Sequence, residues 1–324
     1  MRWQVPENVK PTRADLYLTQ KIQRLSRSRA QRVVQRGDFR SAQGPFKASS
    51  KVSAGMQVEL WRFPPDEKRE DGEAPKVLYD QQNLLVLNKP GDLAIHPSAK
   101  YLFQTVTAWL QERADEHGPG EQVAHPCHRL DRETSGVLVC ASDKRVEREV
   151  KMAFADGKVA KQYLAVVRGH LRAAARLTFP LALQGERGLV RIRMVEDEHG
   201  LPSVTGITPL AYDATTGRTL VRAEPHTGRQ HQIRAHLALA GHPLVGDKLY
   251  HMGDAFFDAY SRGEADNTDA RLEHPRHALH AYQVSWRDET GSELCFRAPF
   301  PPELAALLPG LDNTQILQTL CADS

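Results

Sequence analysis

One stretch of the sequence concentrates side chains that could do nucleophilic or acid–base chemistry. Residues 128–136 read His-Arg-Leu-Asp-Arg-Glu-Thr-Ser-Gly and run directly into the apolar residues 137–140. Asp131 stands between Arg129 and Arg132. Because nearby cations lower the pKa of a carboxyl group, we expect Asp131 to be ionised and able to attack carbon or take a proton. The alternative is a loop of structural salt bridges, which is the better interpretation of these residues taken alone.

Two other polar stretches fall at the ends of predicted elements, where functional sites tend to lie. Residues 89–98, Lys-Pro-Gly-Asp-Leu-Ala-Ile-His-Pro-Ser, follow a predicted strand as a loop rich in proline and glycine. Residues 226–237, His-Thr-Gly-Arg-Gln-His-Gln-Ile-Arg-Ala-His-Leu, open a predicted helix over 229–240. We expect the start of this helix to direct backbone N–H groups and arginine side chains outward.

Motifs of several other enzyme classes are absent from the sequence. It contains no phosphate-binding loop, dinucleotide fingerprint, serine-hydrolase elbow or zincin motif. His125, Cys127 and His128 match no common zinc spacing, and the histidines at 226, 231 and 236 are too far apart to share one helix face. We therefore predict neither a metal ion nor an organic cofactor.

The composition is that of a globular protein. The 324 residues include 43 Lys and Arg, 40 Asp and Glu and 40% hydrophobic residues, which excludes disordered, collagen-like and disulfide-scaffold classes. The four cysteines are scattered, residues 1–10 do not resemble a signal peptide, and no apolar run approaches the roughly 18 residues of a membrane span. These features predict a cytoplasmic protein with no membrane contact.

The net charge of +3 is unevenly distributed. Residues 1–63 hold 13 Lys and Arg against 4 Asp and Glu, a net charge of +9, and the rest of the chain has a net charge of −6. A basic arm on an acidic body indicates a polyanion partner for the arm. A solvated basic surface would explain the charge count equally well.

The basic arm is predicted to contain two helices followed by short strands. The first helix covers 15–25, and the second begins after Ser26 and ends at Gly37. In the second helix the apolar side chains face inward, whereas Arg29, Arg32 and Arg36 form a separate basic stripe that can bind phosphates. Arg27 is also predicted to contact RNA. Residues 57–60 then alternate as a strand.

Residues 12–63 resemble the small RNA-binding domain of ribosomal protein S-four. The resemblance rests on Leu-Ser-Arg-Ser-Arg-Ala-Gln-Arg-Val-Val at 25–34 with Gly37, and on Val52 and Ala-Gly-Met-Gln-Val-Glu-Leu at 54–60. It implies an RNA-binding domain at 12–63, and the charged, proline-containing residues 64–76 are predicted to be a linker. The alternative is a helical cap on the larger domain.

The remainder of the chain is predicted to have an α+β fold with a largely antiparallel, mixed sheet and flanking helices. Strands are expected at 84–87, 136–140, 163–167 and 218–223, and helices at 104–112 and 229–240. Strands outnumber helices and lack the alternating rhythm of a doubly wound fold.

From residue 77 to residue 300 the chain resembles the RluA-type RNA pseudouridine synthases. The resemblance rests on long motifs in family order: Lys89-Pro90 with His96-Pro97-Ser98, residues 128–136, Lys161-Gln-Tyr163-Leu-Ala165, residues 227–234, and Gly-His-Pro-Leu-Val-Gly-Asp at 241–247. It implies a pseudouridine synthase catalytic domain at 77–310, followed by a C-terminal tail at 311–324.

The resemblance also implies roles for individual residues. Asp131 matches the catalytic aspartate that attacks the uridine, at the anomeric carbon or at carbon 6, or that begins with proton removal to a glycal. Tyr163 matches the tyrosine that stacks on uracil and is a candidate base for carbon 5, and Arg234 matches the arginine that pairs with the aspartate. Arg129 matches the residue that fills the gap left by the flipped uridine. The remaining RNA contacts are predicted at His128, Arg132 and Arg229.

The expected activity is uridine isomerisation in structured RNA by a monomer. Family members with the basic N-terminal domain mostly modify large-subunit rRNA, which is the preferred substrate, and tRNA is the alternative. Two rivals stay open, namely a non-catalytic RNA-binding assembly factor and a metal-dependent RNA hydrolase.

Overall fold

The computed structural model describes residues 2–22, 27–47, 49–60, 73–97, 104–118 and 122–312. The chain divides into two compact units, Met1–Lys68 and Arg69–Ser324. Four sequence predictions lie outside the described residues: the cap at Ser26, the side chain of Arg29, most of the linker, and the tail from residue 313.

The first unit packs two helices with two small antiparallel sheets. Its elements are β1 (Arg2–Gln4), β2 (Thr12–Arg13), α1 (Ala14–Lys21), α2 (Arg27–Gln35), β3 (Phe39–Ser41), β4 (Gly44–Pro45), β5 (Lys51–Val52) and β6 (Gln57–Leu60). One sheet has the order β1-β6-β3-β4, and β2 pairs with β5. Tyr17, Leu18, Ala30, Val34 and Phe39 belong to one buried apolar core.

This unit differs from the prediction at its start and in its first helix. β1 pairs with β6, with Arg2 opposite Glu59, so residues 2–4, which precede the predicted start of the domain at residue 12, belong to its sheet. α1 ends at Lys21, because Ile22 turns to extended backbone. α2 ends as expected next to Gly37, which has a φ of +73° that favours glycine.

The second unit contains twelve strands and five α-helices in the described ranges. The strands are β7 (Lys76–Gln81), β8 (Leu84–Lys89), β9 (His125–Pro126), β10 (Ser135–Ala141), β11 (Ala160–Arg168), β12 (Ala175–Leu177), β13 (Leu181–Leu183), β14 (Met194–Glu196), β15 (Thr205–Asp213), β16 (Arg218–Pro225), β17 (Leu279–Arg287) and β18 (Glu293–Arg297). The helices are α3 (Val106–His117), α4 (Lys144–Ala155), α5 (Gln232–Leu239), α6 (Asp254–Arg262) and α7 (Pro302–Ala305).

A ten-stranded sheet organises the second unit. The main strand order is β12-β15-β16-β11-β17-β10-β8-β7, with β18 added to β17 and β9 added to β10. Among the described strands of this sheet, β10 and β17 form the one parallel pair, and the other pairs are antiparallel. The predicted α+β class with a largely antiparallel, mixed sheet and flanking helices is confirmed.

Both faces of the sheet are covered near β8 and β10, which explains their continuous apolar sequences. On one face Val86, Val137 and Val139 share a core with Val150 of α4. On the other face Leu87, Leu138 and Cys140 share a core with Val106 and Leu110 of α3. Packing on both faces therefore makes the amino end of β10 rigid, and residues 128–134 lead directly into that end.

Gly136 allows β10 to approach β17 closely. Its φ is +111°, and a Cβ atom at this position would overlap the carbonyl oxygen of Ala281. The pairing of Ser135 with His280 and of Gly136 with Ala281 therefore depends on glycine. The close contact between Gly136 and Ala281 therefore fixes the position of the chain directly after residues 128–134.

Candidate active site

A cavity of about 400 Å³ opens beside the polar loop that precedes β10. Its walls come from two of the polar stretches, at 128–136 and 226–237, and from the motif that contains Lys161 and Tyr163, together with the end of α4. The polar stretch at 89–98 contributes none of the lining residues. The lining residues are Cys127, His128, Arg129, Leu130, Asp131, Thr134, Phe154, Ala155, Lys161, Tyr163, Pro225, residues 227–234 and Leu279. The volume lies within the usual range for small-molecule pockets.

Asp131 faces a buried arginine in this cavity. Its Oδ2 accepts a hydrogen bond of 2.8 Å from Nη1 of Arg234, which lies 103 residues further along the chain. Burial alone would raise the pKa of Asp131, but the positive charge of Arg234 outweighs it and lowers the pKa to about 2. Asp131 is therefore an ionised carboxylate at neutral pH.

The low pKa is as predicted, and its cause is Arg234, the partner that the resemblance implied, and not the flanking Arg129 and Arg132 that the charge pattern indicated. Arg132 turns away from Asp131 and donates hydrogen bonds to Glu133, at 3.0 Å, and to the hydroxyl of Tyr260, at 3.1 Å. Arg129 has an exposed side chain on the wall of the cavity. Side chains that are close in sequence point in different directions in this loop. The residue that donates a hydrogen bond to Asp131 instead belongs to α5.

Arg234 occupies the first turn of α5, which begins at Gln232 and not at residue 229 as predicted. The helix starts later because His231, with a φ of +51°, has left-handed backbone. Arg234 is buried and does not point outward, so the prediction of outward-facing arginines fails at this position. Residues 226–231 instead form a loop, in which Gln232 Oε1 accepts hydrogen bonds from the Thr227 hydroxyl and the Arg229 N–H.

Asp247 holds Arg234 from the side opposite Asp131. Its two carboxylate oxygens accept hydrogen bonds from Nε and Nη2 of Arg234, at 2.7 and 3.0 Å. The backbone N–H groups of Leu249 and Tyr250 also donate to Asp247. Burial opposes the ionisation of Asp247, but Arg234 keeps its pKa well below the usual range. The guanidinium thus bridges two carboxylates in fixed geometry.

The residue pattern assigns no role to Asp247, although this residue closes one of the quoted motifs. The sequence signal for a functional residue here is a carboxylate that follows an apolar run, in Val-Gly-Asp at 245–247. It could not be paired with Arg234 from sequence alone. His231 and Tyr250, which also surround Arg234, were missed for the same reason.

Lys89 holds the loop of residues 128–134 in place through a hydrogen bond to its backbone. Its buried ammonium donates to the carbonyl oxygens of Pro90, Leu93 and Arg132 at 2.8–2.9 Å. Burial, assisted by the positive charge of Arg276, lowers the pKa of Lys89 to about 7. The Lys-Pro stretch therefore connects its own loop to the loop that contains Asp131.

Tyr163 lies on β11 and lines the cavity. Burial, followed by the negative charge of Asp131, raises the pKa of the Tyr163 hydroxyl above its ordinary value. The side chain is therefore a neutral phenol at neutral pH. Its ring is available for stacking in the cavity.

The other predicted RNA contacts have different surroundings. His128 stacks on Phe154 with 4.4 Å between ring centroids, and its Nε2 accepts the N–H of Val139. Burial lowers the pKa of His128 to about 4, so the ring is neutral and offers no positive charge to a phosphate. Arg229 is exposed, and its Nε donates to the carbonyl of Pro202 at 3.3 Å. RNA contacts by these two residues stay predictions.

In the first unit, α2 presents cations to solvent. Arg27, Arg32 and Arg36 are exposed, and Nε of Arg27 lies 3.6 Å from Asp15. Asp15 also accepts from Arg13 and Gln31. The exposed side of α2 is therefore available to an anionic partner.

Within the described ranges, no three His, Cys, Asp or Glu side chains lie together as a set able to hold a metal ion. In the same part of the chain, every helix falls short of the length and apolar character that a bilayer crossing requires.

Comparison with known proteins places these motifs in one family. Residues 83–239 match the family described as RNA pseudouridylate synthase. The chain is 30% identical over 323 residues to ribosomal large subunit pseudouridine synthase C of Vibrio parahaemolyticus, with 95% of each chain covered. It is also 30% identical to the protein of the same name from Pasteurella multocida, with 95% of this chain and 92% of that one covered.

A solved structure agrees with the sequence relatives. Human RNA pseudouridylate synthase domain containing 1 aligns with a TM-score of 0.56 and 29% identity, covering 77% of this chain and 96% of that chain. The matched segment contains Asp131, Tyr163 and Arg234. The full-length similarity to the bacterial enzymes and the common fold show that this chain belongs to the RNA pseudouridylate synthase family.

Proposed function

We propose that this protein converts uridine to pseudouridine in large-subunit rRNA, and that Asp131 carries the reaction. The observation that carries the proposal is the ionised Asp131 carboxylate, held at 2.8 Å by Arg234 inside a cavity of about 400 Å³. The relatives named above are ribosomal large subunit enzymes, which supports rRNA as the substrate.

The reaction is an isomerisation within one nucleotide. The bond from N1 of uracil to the anomeric carbon breaks, the base turns, and carbon 5 bonds to the anomeric carbon. One proton leaves carbon 5 and one is taken up at N1, so no redox partner or second substrate is consumed. The Asp131 carboxylate supplies the negative charge that initiates this exchange, and Arg234 keeps it unprotonated.

The target base must leave its stack to reach Asp131. We place the uracil ring against Tyr163, whose neutral phenol favours stacking over acting as a base in the resting enzyme. Arg129 extends from the cavity wall and is suited to fill the gap in the RNA. Single-stranded loops are the preferred targets because their bases are readily splayed out.

We assign the first unit to RNA binding, as a domain similar to that of ribosomal protein S-four over residues 12–63. The support is the helix pair α1 and α2, the exposed arginines of α2 and the net charge of +9 on residues 1–63. We place the protein in the cytoplasm as a monomer. Light scattering of the purified protein tests the monomer.

Tritium release tests the activity. The protein is incubated with rRNA or tRNA transcripts labelled with tritium at carbon 5 of uridine, beside the Asp131→Ala variant. We expect release from the rRNA transcript only with the wild-type protein, and a rate in the variant at least about 10³-fold lower. Release from tRNA alone would contradict the substrate assignment. Absence of release from either RNA would leave the assembly-factor alternative, and cleavage of the RNA strand that a chelator abolishes, without tritium release, would favour the hydrolase.

A further inference from the structure

His231 lines the cavity and lies next to Asp131 without bonding to it. Its Nε2 is 3.9 Å from Oδ2 of Asp131, which is beyond hydrogen-bond distance. Its Nδ1 is 3.2 Å from the hydroxyl of Tyr250, and only 9% of the side chain is exposed. One nitrogen of the ring is thus held by the protein, and the other is directed into the site.

The hydrogen bonds of Tyr250 assign the proton of the His231 ring. The Tyr250 hydroxyl accepts the backbone N–H of Met194 at 2.9 Å, and Nδ1 of His231 is the one acceptor for its own proton among the described residues. We therefore assign that proton to a hydrogen bond with Nδ1, since the opposite tautomer would leave it without an acceptor. Burial, followed by the charge of Arg234, lowers the pKa of His231 to about 4, so the ring is neutral at neutral pH. A neutral ring that accepts at Nδ1 carries its proton at Nε2. His231 is therefore a hydrogen-bond donor toward the cavity.

The backbone also holds His231 in an unusual position. Its φ of +51° is uncommon for a residue other than glycine, and such backbone persists where the surrounding structure requires it. This residue immediately precedes α5, and Arg234 follows three positions later. The left-handed residue brings the His231 ring and the Arg234 guanidinium to the same oxygen of Asp131.

The two oxygens of Asp131 consequently differ. Oδ2 accepts from Arg234 and faces His231, whereas Oδ1 has no hydrogen-bond partner among the residues that the structure describes. Oδ1 is therefore the oxygen free to react. A substrate held against it would lie within reach of the unsatisfied Nε2–H of His231.

We propose that His231 is a further catalytic residue, whose Nε2–H donates a hydrogen bond to an oxygen of the flipped uridine while Oδ1 of Asp131 reacts. This inference rests on the proposed function. The donor is fixed before the substrate arrives, so it orients the uridine and stabilises charge that develops on that oxygen. The role concerns the rate of the reaction and not the affinity for RNA, which many other contacts determine.

The test measures single-turnover tritium release at saturating RNA, together with RNA affinity and thermal unfolding. We expect His231→Ala to lower the rate about 10²-fold while the Kd changes less than about twofold. His231→Gln, which returns an N–H donor of similar reach, is expected to recover at least about tenfold of that loss. The matched control is His199→Ala, because His199 is exposed and does not line the cavity.

A second variant tests how the ring is oriented. Tyr250→Phe removes the hydroxyl that binds Nδ1, and we expect a smaller loss of rate than for His231→Ala. Equal rates for wild type and His231→Ala would overturn the proposal, as would equal losses in His231→Ala and His231→Gln accompanied by weaker RNA binding. If His231→Ala fails to fold, the rates of His231→Gln and Tyr250→Phe test the proposal. Rates equal to that of the wild type in both variants would then overturn it. A wild-type protein that releases no tritium would overturn the proposed function as well.

Discussion

Two helices of this protein use arginine in opposite ways. α2, in the first unit, leaves Arg32 exposed, and Arg36 directly after it is exposed as well. α5, in the second unit, buries Arg234 between the carboxylates of Asp131 and Asp247. The same side chain is thus presented to solvent in one helix and enclosed by two fixed carboxylates in the other.

An exposed arginine can bind an anion, whereas a buried arginine can set the protonation state and direction of a carboxylate. Exposed guanidinium groups attract phosphates at a distance, but dissolved salt screens them and each contributes little. A buried guanidinium is screened weakly, and its removal leaves a buried carboxylate without a partner. Arg234 is therefore suited to hold the protonation state and direction of Asp131, whereas the arginines of α2 are suited to hold RNA.

Replacement of Arg234 should have the largest effect. Arg234→Gln leaves Asp247 buried and unpaired and releases Oδ2 of Asp131. We expect a loss of about 3 kcal/mol or more in the free energy of unfolding and a rate of tritium release lower by about 10³-fold. Urea unfolding and single-turnover kinetics measure the two effects. A stable variant with full activity would show that the buried arginine is dispensable.

Asp247→Asn should have the next largest effect. The amide preserves the shape of the side chain but removes the charge that holds Arg234 in place. We expect the rate to fall about 10²-fold, mostly in kcat, with RNA affinity little changed. A change confined to KM would contradict a role in positioning Arg234.

Removal of the exposed arginines of α2 should have a moderate effect of a different kind. The double change Arg32→Gln and Arg36→Gln is expected to weaken RNA binding about tenfold and to reduce the slope of log Kd against log salt by about 1.5. The matched control replaces Arg148 and Arg172, two exposed arginines of the second unit, by glutamine. Equal slopes for both double variants would show that α2 has no special part in binding RNA.

The pH profile should show the smallest effect. Because the pKa of Asp131 is lowered to about 2 from an ordinary value of 3.8, the carboxylate stays ionised throughout the range from pH 5 to pH 8. The stability that this ionised group contributes is complete above about pH 4 and is lost as the pH falls toward 2. Single-turnover rates between pH 5 and pH 8 should lack an acidic limb from Asp131. A limb with a midpoint near pH 5 would contradict the pairing with Arg234.

Much of the fold could be predicted from local patterns. Residues 84–87 and 136–140 are apolar because both sheet faces are covered there, and they form parts of β8 and β10. Gly37 ended a helix as expected because its backbone is left-handed. α5 begins three residues later than its sequence pattern predicts, since the sequence does not reveal that His231 has left-handed backbone.

The residue types of the site were also readable from the sequence, because a carboxylate among cations before a buried strand needs no fold to be recognised. The charge pattern by itself indicated the wrong partners for Asp131, and only the family resemblance pointed to Arg234. Arg132, adjacent in sequence, binds Glu133 and Tyr260, while Arg234, 103 residues away, binds Asp131.

Pairing depends on direction and distance, which the sheet and the start of α5 establish together. The sequence therefore determined the family, the strands and the reactive carboxylate. The tertiary structure decided how Arg234 meets that carboxylate, that Asp247 holds this cation, and that one carboxylate oxygen is left free, because these features require groups from distant segments to meet within 3 Å.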